Sequence, residues 1–436
     1  MELAYRTCVL RLMETCRAFY SIGVPFLLRQ KVSLNTEDVF KSFCNFLFAT
    51  SPGPSNRPTL LRDLRIPDYM VKNNKSMVLQ IISGATYLRS LHIYLPESAT
   101  EFRNVLAGFS DLRELRIELD PGKSATEALR WFEQIRSPIE TLWIQLCIPS
   151  LQRVALSSLS PLASTLRSLT LDRAKLDSMD INVEFPNVRE LYLKEFGRRS
   201  TEYFPPSSAA IFKIFPNLES LAVPTFDTLS ARQLSGYDDR VQEATDLGVH
   251  RKHLKSLEGC LSELIWGGYI CSADDLCLWV GSCWEWDSGD ASFLLSRTRP
   301  STFQLALFIE SFTLDMIPII EDVPSLGSFK EIYILICVNE PDDDAALELT
   351  RSLPEALRGV DTELLTLDFQ VSSLDTECHF LMHEFDIEEF FLQIHAVARK
   401  PRTIVIEPHH TRKAIFDVPV DFVESARRKC LDATAE

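Results

Sequence analysis

The chain lacks the marks of a secreted, membrane-spanning or catalytic protein. Its first residues, MELAYRTCVLRLMETCRAFY, carry an acid at position 2, arginines within the apolar part and no small-residue cleavage site, so they do not read as a signal peptide. The longest apolar stretch, Phe303 to Val323, is interrupted by Glu310, Asp315, Glu321 and Asp322, and charges at that depth make a membrane span costly. No CxxC pair occurs among the 11 cysteines; an odd, scattered set without a secretory signal predicts reduced thiols in a cytoplasmic or nuclear protein. GxSxG, P-loop and GxGxxG motifs are absent, as is a cysteine and histidine pair in a catalytic context, so the sequence predicts neither an enzyme nor a cofactor.

Basic charge is also in deficit. Against 61 acids stand 45 bases, a formal net charge of -16, and such a field repels a polyanion, which argues against a nucleic-acid partner. The hydrophobic fraction of 46%, with 27 Phe, is ample for a buried core and excludes global disorder.

What is present is a repeated phrase, apolar-x-x-apolar-x-apolar. It reads LRDLRI at residue 61, LRSLHI at 88, LRELRI at 112, IETLWI at 139, LRSLTL at 166, VRELYL at 188, LESLAV at 218 and LSELIW at 261. The first seven copies start 22 to 30 residues apart, the period of one strand plus one helical or extended return. Weaker copies follow at 303, 329, 364 and 402. Phe185-Pro186-Asn187 and Phe215-Pro216-Asn217 precede two copies, where proline stops a helix. Segments 98–110, 124–135 and 200–215 carry apolar residues near helical spacing with Ser or Thr suited to their starts.

Each unit exposes apolar side chains that it cannot bury alone, so neighbours stack and share a core. The predicted fold is therefore α/β, an irregular leucine-rich-repeat solenoid with a curved parallel sheet inside, helices outside and a short all-α N-terminal cap. Only Cys147 and Cys337 fall where such repeats usually place Asn or Cys; with that ladder missing, the loop backbone groups must find other partners. The predicted divisions are a helical segment at 1–34, a first part of the array at 35–226, an insertion or join at 227–300, and a second part with a C-terminal cap at 301–436.

Residues 4–30 predict two short helices separated by Gly23-Val24-Pro25. Leu12-Met13, Cys16-Arg17, Phe19-Tyr20, Gly23, Pro25 and Leu27-Leu28-Arg29, leading into a strand at Lys31-Val32-Ser33-Leu34, resemble the C-terminal half of an F-box. With the repeats that follow, the order of elements is similar to that of the F-box/leucine-rich-repeat proteins of mushroom-forming fungi. The family's leading F-box helix, with its Leu-Pro and acidic opening, has no counterpart in the chain, so the F-box is expected to be truncated. The resemblance implies substrate recognition in a ubiquitin-ligase complex, with Leu12, Met13, Phe19, Leu27 and Leu28 facing a Skp-family adaptor. Without that link, the same architecture reads as a leucine-rich-repeat scaffold or sensor whose N-terminal helices cap the core.

Strand alternation puts the residue between the two inner apolar positions on the concave face. Copy by copy these are Arg65, His92, Arg116, Trp143, Thr170, Tyr192, Ala222 and Ile265, and Arg, Trp and Tyr are the types enriched at binding hot spots. Arg65, His92, Arg116, Trp143 and Tyr192 are the candidate contacts for a protein target. The adjacent row, Asp63, Ser90, Glu114, Thr141, Ser168 and Glu190, supplies acids beside the arginines, which equally suits a self-compensated solvated face.

Trp266, Trp279, Trp284 and Trp286, with Cys271, Cys277 and Cys283, form a cluster that reads as packed core or as an exposed aromatic anchor; the cysteine spacing fits no common zinc site. Cys378-His379 and His383-Glu384 are not in HExxH order and lack a third ligand, so no metal is expected.

Overall fold

The computed structural model describes residues 13, 17–49, 56–96, 100–120, 129–147, 152–176, 183–194, 207–223, 237–280, 286–311, 317–340, 343–371, 385–398, 401–409 and 412–417. Two compact units divide the chain, one over residues 1–197 and 213–218 and the other over 198–212 and 219–436.

In the first unit the strands are β1 (Lys31–Ser33), β2 (Asp63–Ile66), β3 (Ser90–Leu95), β4 (Glu114–Leu119), β5 (Thr141–Leu146), β6 (Gln152–Val154), β7 (Ser168–Asp172), β8 (Ala174–Leu176) and β9 (Glu190–Lys194). They run parallel in the order β1-β2-β3-β4-β5-β7-β9, while β6 and β8 form a separate parallel pair. Leu64, Leu91, Leu115, Leu142, Leu169 and Leu191 stand in one register row and all are buried, as is the next inward row, Ile66, Ile93, Ile117, Ile144, Leu171 and Leu193. Each such side chain removed from water contributes about 1.5–3 kcal/mol, so the repeated phrase specifies the sheet through its core rows.

Helices Lys75–Gly84 and Thr100–Ala107 bury Val78, Ile81, Ile82, Phe102 and Leu106. The described parts of the next two returns include the 3-10 turns Arg130–Gln134 and Leu156–Leu162, and most of the helix expected over 124–135 falls at 124–128, outside the described residues, or in the first of these turns. Trp131 and Phe132 are buried there and stack with centroids 4.3 Å apart.

The polar ladder is displaced rather than lost. Ser137 Oγ donates to Phe109 O at 2.6 Å, Thr165 Oγ1 to Ile139 O at 2.9 Å, Asn187 Nδ2 to Ser164 O at 2.7 Å and Asn217 Nδ2 to Pro186 O at 2.9 Å. Each bond reaches back to the preceding repeat just before a strand starts, so the backbone carbonyls are satisfied ahead of the strands rather than after them. Phe185 and Phe215, of the two Phe-Pro-Asn segments, pack together with centroids 5.6 Å apart.

The N-terminal segment differs from expectation. One helix, Arg17–Leu28, runs through Pro25 instead of breaking there. Proline costs a helix one hydrogen bond and a clash, but Pro25 lies in the last turn, and burial of Val24 and Leu28 on either side holds the helix together. The following helix, Glu37–Leu47, is capped by Thr36, whose hydroxyl accepts from Val39 N at 3.3 Å.

The second unit contains β10 (Ser220–Val223), β11 (His253–Cys260), β12 (Ser272–Val280), β13 (Thr302–Ser311), β14 (Ser328–Glu340), β15 (Asp361–Val371), β16 (Thr403–His409) and β17 (Arg412–Asp417), neighbours in that order. All pair in parallel except β17, which returns antiparallel on β16. Helices Leu261–Trp266, Ser288–Thr298, Ile317–Leu326, Asp343–Ala356 and Ile387–Val397 alternate with the strands and contact one another in chain order. Asp287 and Asp386 cap two of them, their carboxylates accepting from backbone N–H groups at 3.0 Å.

One correction falls here. LSELIW at 261 is a helix, not a strand, because Leu261, Leu264 and Ile265 recur at helical spacing and all are buried. The segment 227–300 also contains β11 and β12, which pair in parallel with Leu257 opposite Leu276 and Gly259 opposite Leu278. The chain is thus an α/β protein of strands and returns, consistent with a repeat solenoid. Among the described residues, no helix is long and apolar enough to cross a membrane.

Candidate protein-binding face

The core rows of the first unit fix the opposite face, because side chains alternate along a strand. The pairs Arg65 with His92, His92 with Arg116, Arg116 with Trp143, Trp143 with Thr170 and Thr170 with Tyr192 are register partners in successive strands. These six residues therefore form one row, with neighbours about 4.8 Å apart. Arg65 is exposed and the other five are half-buried. The row before it, Asp63, Ser90, Glu114, Thr141, Ser168 and Glu190, is likewise continuous.

A third row lies two residues further along each strand. Tyr94, Glu118, Gln145 and Asp172 are register partners. The repeated phrase ends before these positions, so the sequence reading missed them; extending the strand period by two residues would have found them.

The centre of the face is interlocked. His92 Nε2 lies 2.8 Å from Glu118 Oε1, and its ring meets Trp143 edge-on with centroids 5.8 Å apart. The Arg116 guanidinium lies over the Trp143 indole, an arrangement favoured by the ring's negative face. Burial lowers the pKa of Arg116 against the raising effect of Glu118, and nearby Arg65 lowers it further. Glu118 is held below the ordinary glutamate range, chiefly by the hydrogen bond from His92. At the rim, Tyr94 donates to Asp120 Oδ2 at 3.3 Å, and burial together with that carboxylate pushes the phenol up to about 12.

Two donors in this cluster, Arg116 Nε and Trp143 Nε1, are shielded from solvent and have no hydrogen-bond partner. A shielded donor without a partner costs about 1–3 kcal/mol. An acceptor arriving on this face would recover that cost.

Comparison of the sequence with protein-family models and with curated proteins finds no match.

The remaining candidates scatter. Ala222 is buried and belongs to the second unit, paired with Glu258, and Ile265 lies in the helix Leu261–Trp266, so neither extends the row. Of the expected adaptor-facing set, Leu12 lies outside the described residues, as does the side chain of Phe19. Met13 and Leu28 are only 9% and 2% exposed and Leu27 is half-buried, whereas Ile22 and Phe26 of the same helix are exposed, at 70% and 37%. Helical spacing alone did not separate the inner from the outer apolar positions, since both stripes are apolar.

In the second unit, Trp266 and Cys271 are buried, Trp279 and Cys277 are half-buried on β12, and Trp286 Nε1 donates to Asp322 Oδ2 at 2.8 Å. Burial pushes the Cys271 thiol up to about 12. Trp284, Cys283, Cys378, His379 and His383 lie outside the described residues. Among the described residues, no group of three or more His, Cys, Asp or Glu could hold a metal ion.

Proposed function

We propose that the chain is a protein-interaction module that holds a target on the polar face of its first unit, through Arg65, His92, Arg116, Trp143 and Tyr192. The observation that carries this reading is the pair of shielded, unpartnered donors on Arg116 and Trp143 at the centre of a continuous row. A solvated, self-compensated face would leave such donors to water or pair them with the neighbouring acids. Affinity purification of the whole protein followed by mass spectrometry tests it, with Arg116→Ala and Trp143→Ala as variants. Each is expected to lose the recovered target.

The F-box resemblance gives this role a specific form, substrate recognition in a ubiquitin-ligase complex. A Skp-family adaptor would then meet the helix Arg17–Leu28 on its exposed side, at Ile22 and Phe26. Co-purification with that adaptor is expected and should fall with Ile22→Asp; a folded chain that does not bind the adaptor removes the ubiquitin link. Burial of Met13 and Leu28 favours a second reading, a leucine-rich-repeat scaffold whose N-terminal helix closes the end of its own core. The two readings share the binding face and part only at the adaptor.

A further inference from the structure

Three arginines meet where β2 and β3 begin. Arg62 immediately precedes β2, Arg89 immediately precedes β3, and Arg29 follows the helix Arg17–Leu28. With Asp63 and Ser90 they line a cleft of about 570 Å³.

Arg62 is held in place without the help of an acid. Its Nη1 donates to the carbonyls of Thr59 at 2.7 Å and Leu61 at 2.8 Å, and its guanidinium lies over the Tyr87 ring, 5.3 Å from the centroid. Arg29 and Arg89 are exposed. Among the described residues, none of the three is ion-paired. Burial lowers the pKa of Arg62, repulsion from Arg29 and Arg89 lowers it further, and attraction from Asp111 and Tyr87 opposes these effects only in part. In a chain of net charge -16 this is a local excess of positive charge in a concavity, three arginines against Asp63 in the lining, and their mutual repulsion costs stability until an anion enters.

We propose that the cleft between Arg29, Arg62 and Arg89 binds the phosphoryl group of a phosphate monoester. The guanidinium fork matches phosphate oxygens in pairs. A monoester carries a charge of about -1.5 to -2 at neutral pH and three terminal oxygens, enough to meet three arginines, where a carboxylate offers one charge and two oxygens. A phosphodiester backbone is a poorer ligand, since it brings a single charge per group on a polyanion that the rest of the chain repels. Asp63 is the one acid in the lining; it is half-buried and hydrogen-bonded to Ser90, and it opposes the incoming anion. The site goes beyond the proposed protein-binding face, and its test needs no protein target.

Titration calorimetry of the whole chain, at fixed ionic strength, would use inorganic phosphate, a phosphoserine peptide and the same peptide unphosphorylated. Saturable binding of phosphate or phosphopeptide is expected, and none of the unphosphorylated peptide. Equal affinity for phosphate and phosphopeptide identifies the phosphoryl group as the whole ligand, and tighter peptide binding identifies a phosphorylated protein as its source; both uphold the site. Arg29→Ala and Arg89→Ala, both at exposed positions, are each expected to weaken binding about tenfold or more. Asp63→Asn is expected to tighten it several-fold, a gain that misfolding cannot imitate. Absence of binding, affinity unchanged in Arg89→Ala, or no gain in Asp63→Asn would overturn the proposal.

Discussion

Glu118 contributes to the acid response of the fold through its hydrogen bond with His92. The hydrogen bond between them, ahead of the attractions from His92 and Arg116, keeps the Glu118 carboxyl below its ordinary pKa of 4.5. A carboxyl whose pKa is lower in the folded than in the unfolded state stabilises the fold above the ordinary value, and that contribution is lost as pH falls through the folded value. Glu118→Gln is therefore expected to flatten the loss of stability below about pH 4.5, measured by urea unfolding across a pH series. An acid limb as steep as that of the wild type would contradict the assignment. Arg116 and Trp143 were legible from strand alternation alone. Glu118 and Asp172 were not, because the apolar phrase that marks each strand ends before the strand does.

Among the elements, the strands carry most of what the sequence discloses. A leucine such as Leu142 has neighbours Leu115 and Leu169 in register, so its period is reinforced in three dimensions. Leu142→Ala is expected to cost about 2–5 kcal/mol in chemical denaturation, since the cavity is enclosed by strands that cannot close over it. Gly259 on β11 is a different constraint. A Cβ there would lie 2.9 Å from the carbonyl oxygen of Val223 and 3.0 Å from Leu264 Cδ2, so backbone would have to move. Gly259→Ala is expected to cost about 1–3 kcal/mol by overpacking; a neutral effect would mean that β10 and β11 part easily. The returns were harder to read than the strands. Tertiary packing decided whether Trp131-Phe132 closed a 3-10 turn and whether Leu261–Trp266 became a helix, and short apolar runs do not distinguish helix from strand by periodicity.

At the scale of the whole molecule, both units alternate strands with returns, and both carry half-buried side chains on the second face of their strands. In the first unit that face carries Arg65, His92, Arg116, Trp143, Thr170 and Tyr192, none of them buried. In the second, the matching register row runs Ala222, Glu258, Cys277, Gln304, Tyr333, Thr366 and Val405; Ala222, Thr366 and Val405 are buried, whereas Glu258, Cys277, Gln304 and Tyr333 are half-buried. The face proposed to bind a target differs from that row in residue type, with Arg65, His92, Arg116 and Trp143 in succession, and sequence alternation discloses residue type but not burial, which depends on what covers a strand face. The most direct measurement is recovery of a target by the whole protein compared with Arg116→Ala and Trp143→Ala, with each variant shown by circular dichroism to be folded. Loss of the same target from both variants is the result this account expects; a target recovered equally by wild type and both variants would contradict it.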